Sequence, residues 1–438
     1  MIDSHELKMR DGYLNKLIGF QDTEPVKVVT GIRRCGKSSL LKLMVQHLRD
    51  TGIQPEQIIE MNFESFDLRG MSAEDIYRYV KERVIPERRM YLFFDELQRV
   101  DAWEDAVNAF RVELNCDIYI TGSNAHLLSS EYSTYLSGRC VEIKMLPLSF
   151  REFLDFHGFK IRETQSALEG FRKQVFDRSG ERYELREVFD AYMRFGGMPG
   201  IADIGLDQEK ALSLLDGIYS TVVIRDILER EKRRDQRQIA DPVLLRKIIL
   251  FLADNIGSSV SVSSIGNTLV NEGLLECSKR RGTPSAHTVQ AYVNALLESY
   301  FFYEIKRFDI KGKAYLRTLG KFYIVDIGLR NYLLGFRNRD SGHAIENVVY
   351  FELLRRGFDV AIGKIGNSEV DFIATTADEK KYIQVTESML SEDVRKRELA
   401  PLQGIHDSYE KIVLSLEPGL DASYDGIKSE NLIDWLLE

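Results

Sequence analysis

Two short stretches carry residues whose types and spacing suit one reaction. Gly31-Ile32-Arg33-Arg34-Cys35-Gly36-Lys37-Ser38 has the G-x-x-x-x-G-K-S spacing, set between an apolar run at 26–29 and a helical pattern opening at Ser39. Gly31 and Gly36 let the backbone curl until its N–H groups converge on phosphate oxygens, a path that a Cβ obstructs. Lys37 brings a flexible positive charge to the β- and γ-phosphates, and the Ser38 hydroxyl suits a Mg²⁺ ligand. The helix that follows adds the positive end of its dipole. Residues 31–39, Ser39 included, therefore form a candidate phosphate cradle, and the chain is expected to bind a nucleoside triphosphate with Mg²⁺.

The second stretch is Tyr91-Leu92-Phe93-Phe94-Asp95-Glu96, an apolar strand ending in adjacent carboxylates. Asp95 would hold Mg²⁺, directly or through water. Glu96 would orient and deprotonate the attacking water, because phosphoryl transfer needs positioning and charge neutralisation more than covalent chemistry. A further strand at 117–121 ends at Gly122-Ser123-Asn124. Ser123 or Asn124 could lie beside the γ-phosphate and report it by hydrogen bond, or could form a turn or helix cap before Leu127. Arg139 could serve as an arginine finger, in cis or in trans, or could pair with a surface carboxylate. Cys35, inside the loop, reads as a small space-filler.

These groups need a frame. Around them the pattern predicts a helix at 7–17, a helix with Leu40, Leu41, Met44, Val45 and Leu48 on its apolar face, a strand at 58–63 and a helix at 76–84. With 438 residues the chain exceeds one typical core, so two or three domains are expected. A net charge of −9 excludes a coat of nucleic-acid-binding charge but permits a local basic patch. Cysteines at 35, 116, 140 and 277 form no close pairs, which argues against a disulfide framework or a zinc site and for a reducing cytosol. The first residues lack a signal peptide's apolar core, and no run approaches about 18 apolar residues, so a cytoplasmic chain without membrane attachment is expected.

Taken in order, Gly-Ile-Arg-Arg-Cys-Gly-Lys-Ser, Phe-Phe-Asp-Glu-Leu-Gln, Thr-Gly-Ser-Asn, Leu-Ser-Gly-Arg and Leu-Pro-Leu-Ser-Phe-Arg-Glu-Phe resemble a bacterial and archaeal family of AAA-type ATPases. Tyr192-Met-Arg-Phe-Gly-Gly-Met-Pro199 and Val223-Ile-Arg-Asp-Ile extend the likeness. The resemblance implies ATP as the nucleotide and a C-terminal restriction-endonuclease-like domain. It also implies an α/β P-loop NTPase core whose parallel sheet has an extra strand between the phosphate-loop strand and the Asp-Glu strand, with 58–63 as the candidate. Ser149 with Glu152 reads as a helix cap, and 149–240 is helical in periodicity, the length of the family's lid over the nucleotide. Its Gly196-Gly197 turn could approach the base or ribose, or could simply punctuate helices.

From 241 to 337, three helices and a strand–turn–strand pattern at 309–321 make a winged-helix-like signature. Its third helix carries Ser285, His287, Thr288, Gln290 and Asn294 as polar positions suited to reading DNA. Lys306, Arg307, Lys311, Lys313 and Arg317 could contact phosphates, although such modules also bind protein. From 338 to 438 the order α-β-β-β-α-β resembles the restriction-endonuclease fold. A working nuclease of that type needs an Asp on one strand and Glu-x-Lys on the next. Asp371 is in place, but Gln384 and Thr386 stand where the Glu and Lys belong, so this domain is expected to be degenerate. The expected division is an ATPase core at 1–148, a lid at 149–240, a winged-helix-like domain at 241–337 and a nuclease-like domain at 338–438. The expected function is an ATP-hydrolysing switch or remodeller acting on an unknown protein or DNA, with a homo-oligomer among the expected assemblies; the alternative is an ATP-gated DNA-binding regulator or defence module.

Overall fold

A computed structural model describes residues 7–125, 138–166, 170–229, 239, 241–271, 284–312, 314–315, 319–337, 341–419 and 421–438. Its contacts divide the chain into two compact units. One runs to Leu146 and takes in Glu298–Tyr300; the other holds Pro147–Leu297 and Phe301–Glu438.

The first unit opens with α1 (Asp11–Gly19), β1 (Val26–Thr30), α2 (Lys37–Asp50), β2 (Ile58–Asn62), α3 (Ala73–Lys81) and β3 (Met90–Asp95). It continues with α4 (Trp103–Glu113), β4 (Cys116–Gly122) and β5 (Cys140–Lys144). The strands form a five-stranded parallel sheet in the order β2-β3-β4-β1-β5. β1 and β3 are buried along their whole length, so they read as continuous apolar runs rather than alternating ones. The one charge in β1, Lys27, is fully buried and pairs with Asp117 of β4. α2 presents the expected Leu40, Leu41, Met44, Val45 and Leu48 to the core, together with Leu43. One expectation is corrected. The strand between β1 and β3 is β4, whereas β2 lies outside β3 at the sheet edge. Chain order is not spatial order when crossovers return a strand to the sheet's middle.

The second unit begins with α5 (Phe150–His157), whose cap is the predicted one: the Glu152 N–H donates to Ser149 Oγ at 3.0 Å and the Ser149 N–H to Glu152 Oε2 at 2.9 Å. The helical expectation then fails. β6 (Lys160–Ser166), β7 (Gly170–Phe176) and β8 (Arg182–Glu184) form an antiparallel sheet. Gly158 and Gly180, at φ 77° and 87°, stop α5 and turn β7 into β8, and these breaks outweigh the helical periodicity around them.

α6 (Leu185–Phe195), α7 (Gly200–Ile204) and α8 (Gln208–Thr221) follow, then α9 (Pro242–Asp254), β9 (Ser259–Val260), α10 (Val262–Asn271) and α11 (Ala286–Glu298). Next come β10 (Phe302–Ile305), β11 (Arg307–Asp309), β12 (Ala314–Tyr315), β13 (Gly320–Ile324) and α12 (Ile327–Leu334). β13 pairs antiparallel with both β10 and β9. The last segment holds α13 (Ser341–Arg355), β14 (Asp359–Ile365), β15 (Ser368–Thr375), β16 (Lys380–Ser388) and α14 (Glu392–Gln403). It closes with β17 (Glu410–Glu417), β18 (Ser423–Tyr424), β19 (Ile427–Asn431) and α15 (Leu432–Trp435). Eight strands join in one sheet, ordered β12-β11-β14-β15-β16-β17-β19-β18. The expected hairpin at 309–321 is therefore shared: β12 pairs with β11, but β11 runs parallel to β14 in the C-terminal sheet.

The Gly196-Gly197 turn packs against the start of α12. The Gly197 N–H donates to Asp326 Oδ2 at 2.6 Å, and its carbonyl accepts the Leu148 N–H at 2.7 Å. A Cβ on Gly197 would stand 2.4 Å from the Leu148 carbonyl oxygen, which explains the glycine. The same Asp326 caps α12 by accepting the Leu329 N–H at 3.1 Å. Burial pushes Asp326 up to about 6, against the backbone N–H bonds that favour its charge. An unfolded aspartate titrates at about 3.9, so this group's contribution to stability is full below about pH 4 and is lost as pH rises through the folded value. Asp326→Asn should therefore remove about 2–3 kcal/mol of the change in unfolding free energy between about pH 4 and 7. Denaturant melts of both proteins across that range check it; parallel curves would refute the assignment.

Candidate functional site

Gly31 and Gly36 take φ 141° and 106°, and Arg34 between them takes 63°. A Cβ on Gly31 would stand 2.1 Å from the Met145 carbonyl oxygen, so only glycine fits where the loop leaves β1. Arg34 is exposed at the crest and Arg33 is buried, paired with Glu64, which also accepts from Arg99 at 2.7 Å. Ile32 and Cys35 are fully buried, and burial pushes the Cys35 thiol up, which suits a space-filler. Arg10 braces the loop from beneath, donating to the Cys35 carbonyl at 3.0 Å and to the Leu146 carbonyl at 2.9 Å. Lys37 opens α2 and donates to the carbonyls of Gly31 at 3.0 Å and Ile32 at 3.1 Å, with its Nζ 3.9 Å from Glu96 Oε1. Ser38 is half-buried behind it, and Ser39 is exposed.

The carboxylates arrive from β3. Burial raises the Asp95 pKa, opposed by hydrogen bonds from Thr121 and Ser38. Thr121 Oγ1 donates to Asp95 Oδ1 at 2.5 Å and accepts the Glu96 N–H at 2.9 Å, while Asn62 Nδ2 donates to Asp95 Oδ2 at 3.1 Å. Glu96 sits at φ 56°, a strained conformation that turns its side chain out of the strand's alternation. Gln98 Nε2 at 2.6 Å and Ser123 Oγ at 3.3 Å both donate to Glu96 Oε2. Hard oxygen donors from Ser38 and Asp95, beside a glycine-lined cradle, fit a Mg²⁺–triphosphate.

The structure thus brings together Gly31, Gly36, Lys37, Ser38, Asp95, Glu96 and Ser123. Asn124 is buried directly after Ser123; Leu127 lies outside the described residues. Arg139 stands apart. It is exposed, and its carbonyl accepts the Val26 N–H at the start of β1, the opposite end of the strand from the loop. Five residues of strand, roughly 3.3 Å each, separate it from its own chain's cradle, which corrects the finger in cis. Sequence reasoning missed Thr121, Asn62, Gln98 and Arg10. Gln98 alone carried a local signal, two residues after Glu96; the others act from elements distant in the chain.

In the C-terminal segment Asp371 is buried and accepts the Val385 N–H at 2.9 Å. Burial, with Glu346 nearby, pushes its carboxyl well above the ordinary range. Gln384 donates to Glu398 at 3.1 Å, and Thr386 is buried. The cation here is Lys321, which the sequence grouped with the basic residues of the wing. Lys321 of β13 lies 2.7 Å from Glu369 and 3.8 Å from Glu346. Burial works against its charge, but Glu346, Asp371 and Glu369 outweigh that and hold its pKa above the usual lysine value. Among the described residues no group of three or more His, Cys, Asp or Glu is placed to hold a metal ion.

The basic patch is also revised. Lys306 and Lys311 are exposed, but Arg307 is mostly buried with its Nε 3.9 Å from Glu369; Lys313 and Arg317 lie outside the described residues. Pairing of β11 with β14 draws Arg307 toward the sheet's acids instead of leaving it on a free wing.

Residues 23–154 match a family described as an AAA domain, and residues 186–340 match one described only as a domain of unknown function. An uncharacterized protein of Haemophilus influenzae is 38% identical over 431 residues, 98% of each chain. An uncharacterized protein of Methanocaldococcus jannaschii is 29% identical over 427 residues, 95% of this chain and 85% of the relative. Among solved structures, the Walker-type ATPase of Pyrococcus abyssi aligns over 74% of this chain and 95% of its own, at 16% identity and a TM-score of 0.48.

Thr121 touches both carboxylate positions, so Thr121→Val should leave the fold intact, by circular dichroism, and lower triphosphate turnover by roughly 10- to 100-fold. Phosphate release measured on both proteins decides it; turnover equal to that of the parent would remove Thr121 from the site.

Proposed function

The chain belongs to one family with the Haemophilus influenzae protein and has an AAA domain at 23–154, and from that premise we propose that it is a Mg²⁺-dependent ATPase whose nucleotide state repositions its later residues on a macromolecular partner. The observation that carries the reading is convergence. Lys37, Asp95, Glu96 and Ser123 meet at the C-terminal ends of three neighbouring parallel strands, with Glu96 held by Gln98 and Ser123.

In this reading the N–H groups of 31–38 and Lys37 bind the phosphates, and Ser38 and Asp95 hold Mg²⁺. Bound there, Mg²⁺ neutralises charge on the phosphate oxygens. Glu96 accepts the proton of the attacking water, and Gln98 and Ser123 keep its carboxylate aimed. Ser123 or Asn124 then registers the γ-phosphate. Arg139, exposed at the far end of β1, would act only in trans, on a neighbouring copy.

A second reading is an ATP-gated DNA-binding module. It is favoured by His287, Gln290 and Asn294, exposed along α11, with Ser285 exposed just before it and Lys306 and Lys311 also exposed. The winged-helix assignment of 241–337 and the nuclease-like assignment of 338–438 belong to this proposal, and the C-terminal segment is taken as catalytically inactive. Among the described residues no helix is long and apolar enough to cross a membrane.

Glu96→Gln should lower turnover by about 10²- to 10⁴-fold while changing nucleotide affinity less than about twofold, whereas Lys37→Ala should lose binding. Steady-state phosphate release with equilibrium binding tests both, and unchanged turnover in Glu96→Gln sinks the assigned role. Repeating the assay with duplex DNA at low salt separates the readings. Stimulation that weakens with salt supports DNA as the partner, and indifference supports a protein.

A further inference from the structure

Three residues from far downstream, Glu298–Tyr300, are part of the N-terminal unit. Tyr300 is 5% exposed and sits at φ 57°, a conformation costly for a bulky side chain unless its surroundings impose it. Its hydroxyl donates to Glu142 Oε1 of β5 at 3.2 Å. The same carboxylate oxygen accepts the Thr30 hydroxyl at 2.7 Å. Thr30 is the last residue of β1, directly before Gly31, and its carbonyl accepts the Met145 N–H at 2.7 Å. Met145 in turn presents the carbonyl that bars any side chain at Gly31. The Thr30 side chain also hydrogen-bonds Tyr300 directly, so Tyr300, Glu142 and Thr30 form one cluster where the phosphate loop leaves the sheet.

Packing alone does not account for this arrangement. A buried aromatic ring needs no hydroxyl, and a buried hydroxyl is costly unless something accepts it. The acceptor chosen is the group that already fixes Thr30. We propose that Tyr300 is a positioning residue for the phosphate loop: with Glu142 it holds the Thr30–Gly31 junction, so nucleotide affinity depends on how residues 298–300 are held. Phe301 follows in the chain and is buried edge-on against Tyr219 in the second unit. A partner that shifted residues after 300 would therefore change nucleotide affinity, and nucleotide would, by linkage, change affinity for that partner. The inference rests on the nucleotide reading of the loop.

The test is equilibrium binding of a fluorescent ATP analogue with Mg²⁺ to the full chain, together with saturating turnover and thermal melts. Tyr300→Phe removes only the hydroxyl and should weaken binding by about five- to tenfold, with saturating turnover within about twofold and no loss of Tm. Glu142→Ala should weaken binding similarly, and the losses in the double variant should be less than additive, because both changes open one hydrogen-bonded cluster. Lys37→Ala serves as the reference for lost binding. Parent-like affinity in Tyr300→Phe, additive losses in the double variant, or a loss of affinity that only tracks a fall in Tm would each overturn the proposal while leaving the nucleotide reading intact. Failure of the parent chain itself to bind the analogue would overturn the nucleotide reading, and this inference with it.

Discussion

The hydroxyl of Thr121 is shared between the Asp95 carboxylate and the Glu96 N–H, at 2.5 and 2.9 Å, and the rest of the site depends on that bridge. It exists because β4 lies between β1 and β3, with its C-terminal end level with theirs. In a parallel sheet all C-terminal ends face one way, so a loop, a carboxylate pair and a polar strand end from three distant segments meet at one edge. Three observations then share one cause. Lys37 reaches Glu96, Ser123 reaches the same carboxylate, and Asp95 is buried enough to have its pKa raised.

Two further buried lysines take their partners from distant elements. Lys27 is fully buried against Asp117, and Tyr119 also donates to that carboxylate at 2.8 Å. Such a pair costs desolvation and is tolerated only when its hydrogen bonds are met, so it fixes the pairing of β1 with β4 more than it adds stability. Lys321 among Glu346, Glu369 and Asp371 plays a comparable part in the second unit, joining β13 to α13 and β15. A cation held there internally satisfies acids that would otherwise need another source of positive charge.

Glycine marks the places where backbones touch. Gly31 against Met145 and Gly197 against Leu148 leave no room for a methyl group, and each lies beside a polar contact that organises its unit. Nothing local separates these two from the glycines that merely turn the chain.

Reading the residues in order was enough to locate the phosphate loop, Asp95, Glu96, the cap at Ser149, the apolar face of α2 and most C-terminal strands. Each of these depends on spacing within about ten residues: a glycine pair, a strand followed by carboxylates, a capping box, a helical or two-residue period. Only the tertiary structure decided what depends on separation. It put β4 rather than β2 between β1 and β3, made a sheet of 160–166, 170–176 and 182–184, moved Arg139 to the far end of β1 and recruited β11 into the C-terminal sheet. It also supplied Thr121, Arg10, Lys321 and Tyr300, whose partners lie 25 or more positions away in the chain. A side chain's type is local, whereas its partner is chosen by the packing of whole elements. The residues that could do chemistry were therefore legible in the sequence, and those that hold them in place were not.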